Sequence, residues 1–328
     1  MTAAAPTSIG ALQVWPLYDG RFHLTNPPGV PEPNSPEYPV HGEYFHPDGT
    51  WLMDIGAFLV RTGDRLLLID AGAGPSDGAI YRPPPAATIA DVDPGVVRYF
   101  RSMGATDDDA LLARLQVLAG TNIQHGQLGT SLARYGFRPA DVTDVVLTHL
   151  HHDHIGWVSR DGTPYFPNAT VRCERRDADF FLAPDHDDSF YVWMSNATPT
   201  GQKLAPVLDR LELWDGDANI APGVDVRFAP GHTPGSCLVV LSGGTERALI
   251  LGDTVHCPLE ITDPDFSVLA DMDQQLADRT REMIRRELAD GTTPAAAPHF
   301  AGLRFGRVVP GTGRAGWTVD ANAPSREA

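Results

Sequence analysis

Cysteine is scarce in this chain of 328 residues, which contains Cys173, Cys237 and Cys257. An odd number without C-x-x-C spacing excludes a disulfide framework and a zinc site closed by thiolates. Basic residues are also short, 25 Lys and Arg against 42 Asp and Glu, and the formal charge is −17. Such a surface repels phosphate backbones and anionic lipid, so neither nucleic acid nor a membrane is expected as a partner. No run approaches the roughly 18 consecutive apolar residues of a membrane span. The N-terminal stretch MTAAAPTSIGALQVWPLYDG lacks a basic segment followed by a long apolar one, so no signal peptide is read there. The default expectation is a protein of the cytoplasm.

What the chain does have is apolar content of 42%, sufficient for a large core. Its length is compatible with a single α/β domain over 1–328. Proline breaks the pattern at NPPGVPEPNSPEYP, which gives a proline-rich N-terminal arm over about 24–45, and at RPPP, 82–85. The small, polar C-terminus reads as a flexible tail over about 312–328, within which GWTV can add a short edge strand.

Between these segments, short apolar runs bounded by glycine turns read as buried strands. RLLLID ends on Asp70, DVVLTHLH on His149, VDVRFAPGH on His232 and ALILGD on Asp253. Polar residues gathered at strand ends are the layout of an α/β active site. GAFLVRTGDRLLLIDAG and SCLVVLSGGTERALILGDT also echo one another, each as strand, turn, strand and Asp, which points to two similar sheets packed face to face. Three helices follow from period. In DQQLADRTREMIRRELAD, Leu276, Met283, Ile284 and Leu288 share a face with charges opposite. DDDALLARLQVLAG has aspartates in its first turn, where the helix dipole favours them. GQLGTSLARYGF is the third.

The stretch THLHHDHIG, 148–156, carries the chemistry. His149 and His151 are two apart and point the same way in extended chain; Asp153 and His154 follow where the chain turns into a helix. The segment can offer two imidazoles to one ion and a carboxylate with an imidazole to a second, a donor set suited to zinc and also to iron, manganese or cobalt. A His-rich surface turn is the plain alternative. Further donors stand downstream: His232 in GHTPGS, Asp253 in ILGDTVHC, where a carboxylate can bridge two ions, and His299 in PHFAGLRFGRV.

H-x-H-x-D-H followed by GHTPG, GDT and a late His resembles the metallo-β-lactamase-fold hydrolases, over about residues 12–310. The layout is closest to the lactonase and organophosphate-hydrolase branch. The resemblance implies a four-layer αββα sandwich and two divalent ions. It places His149, His151 and His232 on one ion, Asp153, His154 and His299 on the other, and Asp253 between them, with Asp70 supporting a ligand from behind. Around His299 the sequence AGLRFG departs from the branch, and His256, just after GDTV, is the rival ligand. His152 reads as a polar neighbour.

Bound zinc can lower the pKa of water from ~15.7 to about 7, on the order of 12 kcal/mol in the cost of making hydroxide. The expected reaction is metal-assisted hydrolysis of the carbonyl of a lactone or ester by metal-bound hydroxide, with Asp153 or Asp253 taking the proton. Aryl phosphotriester hydrolysis, β-lactam hydrolysis and a di-iron redox role are the alternatives. Phe180, Phe181, Phe190 and Trp193, in a stretch read as a loop, either line an apolar substrate pocket or pack a sheet edge; Arg304 either meets a substrate carboxylate or lies on the surface. The expected partner is a small-molecule substrate, and the proline-rich arm is compatible with a homodimer.

Overall fold

The computed structural model describes residues 5–25, 50–76, 78–102, 104–266 and 271–319. Most of the proline-rich arm and residues 320–328 of the expected tail lie outside the described residues.

The chain completes one sheet before starting the next. The first contains β1 (Thr7–Ile9), β2 (Leu12–Thr25), β3 (Thr50–Thr62), β4 (Arg65–Ile69), β5 (Asn122–Gln124) and β6 (Asp144–Val146). After a small ribbon of β7 (Ser159–Arg160) and β8 (Thr163–Pro164) it is finished by β9 (Thr170–Glu174) and β10 (Leu211–Trp214). Its order is β1-β2-β3-β4-β6-β9-β10, with β5 paired to β2. The second sheet runs in chain order through β11 (Ala218–Ala221), β12 (Val224–Phe228), β13 (Cys237–Gly243), β14 (Glu246–Ile250), β15 (Ala295–Ala296), β16 (Gly306–Val309) and β17 (Gly316–Val319). GWTV is thus an edge strand, paired antiparallel with β16, and this part of the expected flexible tail is ordered by its ladder. The two halves of the sequence echo are the hairpins β3–β4 and β13–β14, one in each sheet.

The helices are α1 (Pro94–Ser102), α2 (Asp108–Ala119), α3 (Leu128–Arg134), α4 (His152–Ile155), α5 (Arg175–Phe181), α6 (Ser189–Ser195), α7 (Thr200–Leu204), α8 (Leu259–Thr262) and α9 (Gln274–Leu288); α3 and α5 pack on the outer face of the first sheet and α9 on that of the second. Strand alternation sorts the core. Leu67 and Ile69 of β4 cluster with Phe58, Val60 and Val146 of the same sheet and with Val226, Val239, Leu241 and Ile250 of the other. Leu66 and Leu68 belong instead to a cluster with Leu128 and Leu132 of α3 and Ala178 and Phe181 of α5. Leu238, Val240 and Leu249 cluster with Ile284 and Leu288 of α9 on the far side. Helix, sheet, sheet and helix make the four-layer αββα sandwich. Each fully buried Leu or Ile in these layers contributes roughly 1.5–3 kcal/mol.

Two local expectations are corrected. The aromatic stretch is not a loop: Phe180 and Phe181 end α5, and Phe190 and Trp193 lie on α6. In α9 the buried stripe is Ala277, Thr280, Arg281, Ile284 and Leu288, whereas Met283 is exposed. Arg281 falls inside the i, i+3, i+4, i+7 stripe instead of on the charged face, because buried carboxylates meet it there.

Candidate metal centre

The histidine segment is fixed by two aspartates distant in sequence. Leu147 N donates to Arg172 O at 2.9 Å, continuing the ladder beyond β6. Asp70, directly after β4, has φ 62, a left-handed backbone that stores on the order of 1–3 kcal/mol in a non-glycine residue. The bend aims its carboxylate across to the next strand, where it accepts from Thr148 N at 2.8 Å and from the Thr148 hydroxyl. Asp177, at the start of α5, accepts from Leu150 N at 3.1 Å, Thr233 Oγ1 at 2.9 Å and Gly235 N at 2.5 Å. One carboxylate thereby ties the loop of His149 and His151 to the loop of His232. His151 then opens the single-turn helix α4, which carries Asp153 and His154.

The donors converge on Asp253. Its Oδ2 lies 3.2 Å from His299 Nε2, 3.3 Å from His154 Nε2, 3.5 Å from His232 Nε2, 3.7 Å from His256 Nε2 and 3.9 Å from His149 Nε2. His151 Nδ1 stands 3.0 Å from His149 Nε2 and 2.8 Å from His232 Nε2. Asp153 Oδ2 lies 3.4 Å from His299 Nε2 and 3.8 Å from His154 Nε2. Ligand atoms of His149, His151 and His232 fall within 4.8 Å of one another, and so do those of Asp153, His154 and His299, of His149, His154 and Asp253, and of His232, Asp253 and His256. The seven residues named from sequence are therefore brought together, and His256 joins them.

Behind the ring, four of the imidazoles face an oxygen with Nδ1. Asp70 Oδ2 lies 3.0 Å from His154 Nδ1. His299 Nδ1 donates to Asp54 O at 2.6 Å, while the Asp54 carboxylate accepts from Gly302 N at 2.7 Å and holds the following turn. His232 Nδ1 faces Asp271 Oδ1 at 3.2 Å, and His256 Nδ1 faces Glu260 Oε2 at 3.3 Å. Contacts of this kind select the tautomer that leaves Nε2 as a lone pair toward the centre.

The donor set fits divalent ions. Burial, reinforced by neighbouring imidazoles, holds His149 and His151 well below the usual histidine range, so both are neutral donors. Burial opposes charge on Asp253, yet His154 and His299 hold its carboxyl well below the usual range. His154 goes the other way: burial lowers it, but Asp253, Asp70 and Asp153 together raise it well above the ordinary value. His151 Nε2, His154 Nε2, His256 Nε2 and Asp253 Oδ1 are buried with no hydrogen-bond partner among the described residues. Unpaired buried lone pairs of this kind are costly unless something else satisfies them.

The other residues singled out from sequence are more scattered. Phe181 is buried with its ring 5.6 Å from that of His151, so it packs behind a candidate ligand. Phe180 is 40% exposed. Phe190 stacks on Tyr99 at 4.3 Å, Trp193 accepts from the Tyr81 hydroxyl through its carbonyl, and Arg304 is half-buried beside Gly302. His152 lies 3.8 Å from Asp153 and packs against Tyr191. Sequence reasoning missed Asp54, Asp177, Glu260, Asp271 and Arg281. A helical phase anchored on Ala277 instead of Leu276 would have flagged Arg281 as buried.

The Metallo-beta-lactamase superfamily is the family whose sequence model matches, over residues 55–299. A probable metallo-hydrolase of Mycobacterium tuberculosis is 28% identical over 204 residues, 60% of this chain and 56% of that protein. An N-acyl homoserine lactonase of Bacillus cereus is 24% identical over 169 residues, 50% of this chain and 60% of the relative. The chain thus spans a little over half the length of these curated relatives. Two solved structures follow it along nearly their whole length. AidC, a dizinc quorum-quenching lactonase in complex with a product, has TM-score 0.70 at 21% identity, covering 98% of this chain and 99% of that one. The hydrolase AbOPH of the beta lactamase superfamily has TM-score 0.71 at 24% identity, covering 98% of both. At these identities the likeness is one of fold.

Proposed function

The chain belongs to the metallo-beta-lactamase superfamily, and from that premise we propose that it is a metal-dependent hydrolase opening the carbonyl of a lactone or ester at a centre of two divalent ions. The observation that carries this reading is the ring of five imidazole Nε2 atoms within 3.9 Å of Asp253 Oδ2. Ions held there would acidify a water and polarise the scissile carbonyl. His149, His151 and His232 would hold one ion, and Asp153, His154 and His299 the other, with Asp253 between them. Neighbouring His152, His154 and His299 outweigh burial and keep the Asp153 carboxyl below its ordinary value, so it stands as a carboxylate facing the centre. The relatives named as lactonases favour a carbonyl substrate over a phosphoryl one. Zinc is the proposed metal, and the proposed partner is a small molecule.

The test is elemental analysis of protein purified without chelator, joined to a hydrolysis panel. The panel holds acyl-homoserine and aryl lactones, aryl esters, aryl phosphotriesters and a chromogenic β-lactam. About two metals per chain and fastest turnover of lactones or aryl esters are expected. One metal with full activity would sink the two-ion reading. Cleavage of the β-lactam or the phosphotriester alone would sink the substrate class. His299→Ala should lose one metal, whereas His256→Ala should retain both.

A further inference from the structure

Arg281 has no exposed surface. A guanidinium taken wholly out of water is expensive unless carboxylates surround it. Here Asp271 Oδ2 lies 2.6 Å from its Nη2, Asp278 Oδ1 lies 3.0 Å from the same atom, and Glu260 Oε1 lies 3.7 Å from Nη1. Asp271 and Glu260 are themselves buried. Each turns its second oxygen to an imidazole, Asp271 to His232 and Glu260 to His256. Glu260 Oε2 also accepts from His256 N at 2.6 Å, which fixes the backbone of that histidine. The result is a continuous buried path, His232–Asp271–Arg281–Glu260–His256, whose two ends both present Nε2 to Asp253 Oδ2.

We propose that Arg281 is a positioning residue for the metal centre, orienting His232 and His256 together through Asp271 and Glu260. The planar guanidinium sets one nitrogen against Asp271 and the other 3.7 Å from Glu260, a span that the single nitrogen of a lysine does not match. Without the guanidinium, Asp271 and Glu260 would lose the group that holds each in place, and their carboxylates would be free to turn. The tautomer and aim of both histidines would then be lost together. This inference rests on the reading that the cluster binds metal.

The experiment measures zinc affinity by chelator competition, and the visible spectrum of the cobalt-loaded protein, for wild type, Arg281→Met and Arg281→Lys. Thermal stability of the metal-free proteins is recorded alongside. Arg281→Met should bind zinc about tenfold or more weakly, the scale seen when groups behind metal ligands are removed. Its cobalt bands should shift, and Arg281→Lys should recover part of both effects. If Arg281→Met does not fold, the triple variant Arg281→Met, Asp271→Asn, Glu260→Gln removes the charges that Arg281 balances. That protein should fold and still bind zinc weakly. Lower metal-free stability with zinc affinity and cobalt bands equal to wild type, in either variant, overturns the positioning role alone. Wild-type protein that takes up no zinc overturns the reading of the site as well.

Discussion

Asp253 concentrates the electrostatics of the site at one atom, so its charge and its shape can be tested separately. Asp253→Asn keeps the shape and removes the charge. The run ALILG before it is untouched, so the metal-free protein should fold, while turnover should fall at least about a hundredfold, the scale of losing a preorganised electrostatic group. Near wild-type turnover would show that the carboxylate is dispensable. Asp177 gives a prediction in pH. Burial pushes its carboxyl up to about 7, despite the Thr233 hydroxyl and the Gly235 and Leu150 amides. A folded pKa above the ordinary 3.8 means that its contribution to stability is fully present below about 4 and is lost as pH rises through about 7. Denaturant melts of the metal-free protein should therefore show wild type losing stability relative to Asp177→Asn between these pH values; a constant difference would refute it. His149, His232 and Asp253 could be read from sequence because each ends an apolar run, and Asp153 and His154 because they crowd beside His149. Asp177 could not, because its partners Leu150 and Thr233 are 27 and 56 residues away and no spacing joins them.

The junction between the His232 loop and α9 shows how closely elements meet here. Asp273 N donates to Gly231 O, Met272 N to His232 O and Thr280 Oγ1 to Pro230 O. Gly231 has φ 131, and a Cβ there would lie 2.2 Å from Ala277 N. Gly231→Ala is strained in its backbone and also drives a methyl into the helix. Gly244 has φ 65 with open space around it, so Gly244→Ala meets the strain alone, on the order of 1 kcal/mol. Thermal melts should rank Gly231→Ala below Gly244→Ala, and zinc uptake should fall only in the former; equal uptake would mean that the loop tolerates the shift. Element type was legible where period was strong, as in α9, whereas α2 was marked chiefly by the aspartates of its first turn. The phase of α9 was not, since Leu276 and Met283 outweighed Arg281 on hydrophobicity while burial was decided by Asp271 and Glu260, residues outside the helix.

At the scale of the molecule, the short apolar runs indicated buried strands and the echo of two hairpins indicated two sheets. Strand order was hidden, because β4, β6 and β9 pair in parallel across long connections. The same order has a practical consequence. Among the described residues, every strand before Asp215 belongs to the first sheet or the small ribbon, and every strand after Asp217 to the second. His149, His151, Asp153 and His154 thus sit on one side of the bend at Gly216, which is half-buried between the exposed Asp215 and Asp217, and His232, Asp253 and His299 on the other. Two polypeptides, residues 1–215 and 217–328, should reassemble through the faces that Ile69 and Ile250 share. Neither fragment carries a full ligand set, so zinc would bind the assembled pair in preference to the parts. At zinc about a hundred times its dissociation constant, association should tighten by roughly 2.7 kcal/mol, about a hundredfold. Titrating one fragment with the other, with and without zinc, would make subunit affinity the gauge of the ion; identical curves would mean that no metal spans the two sheets.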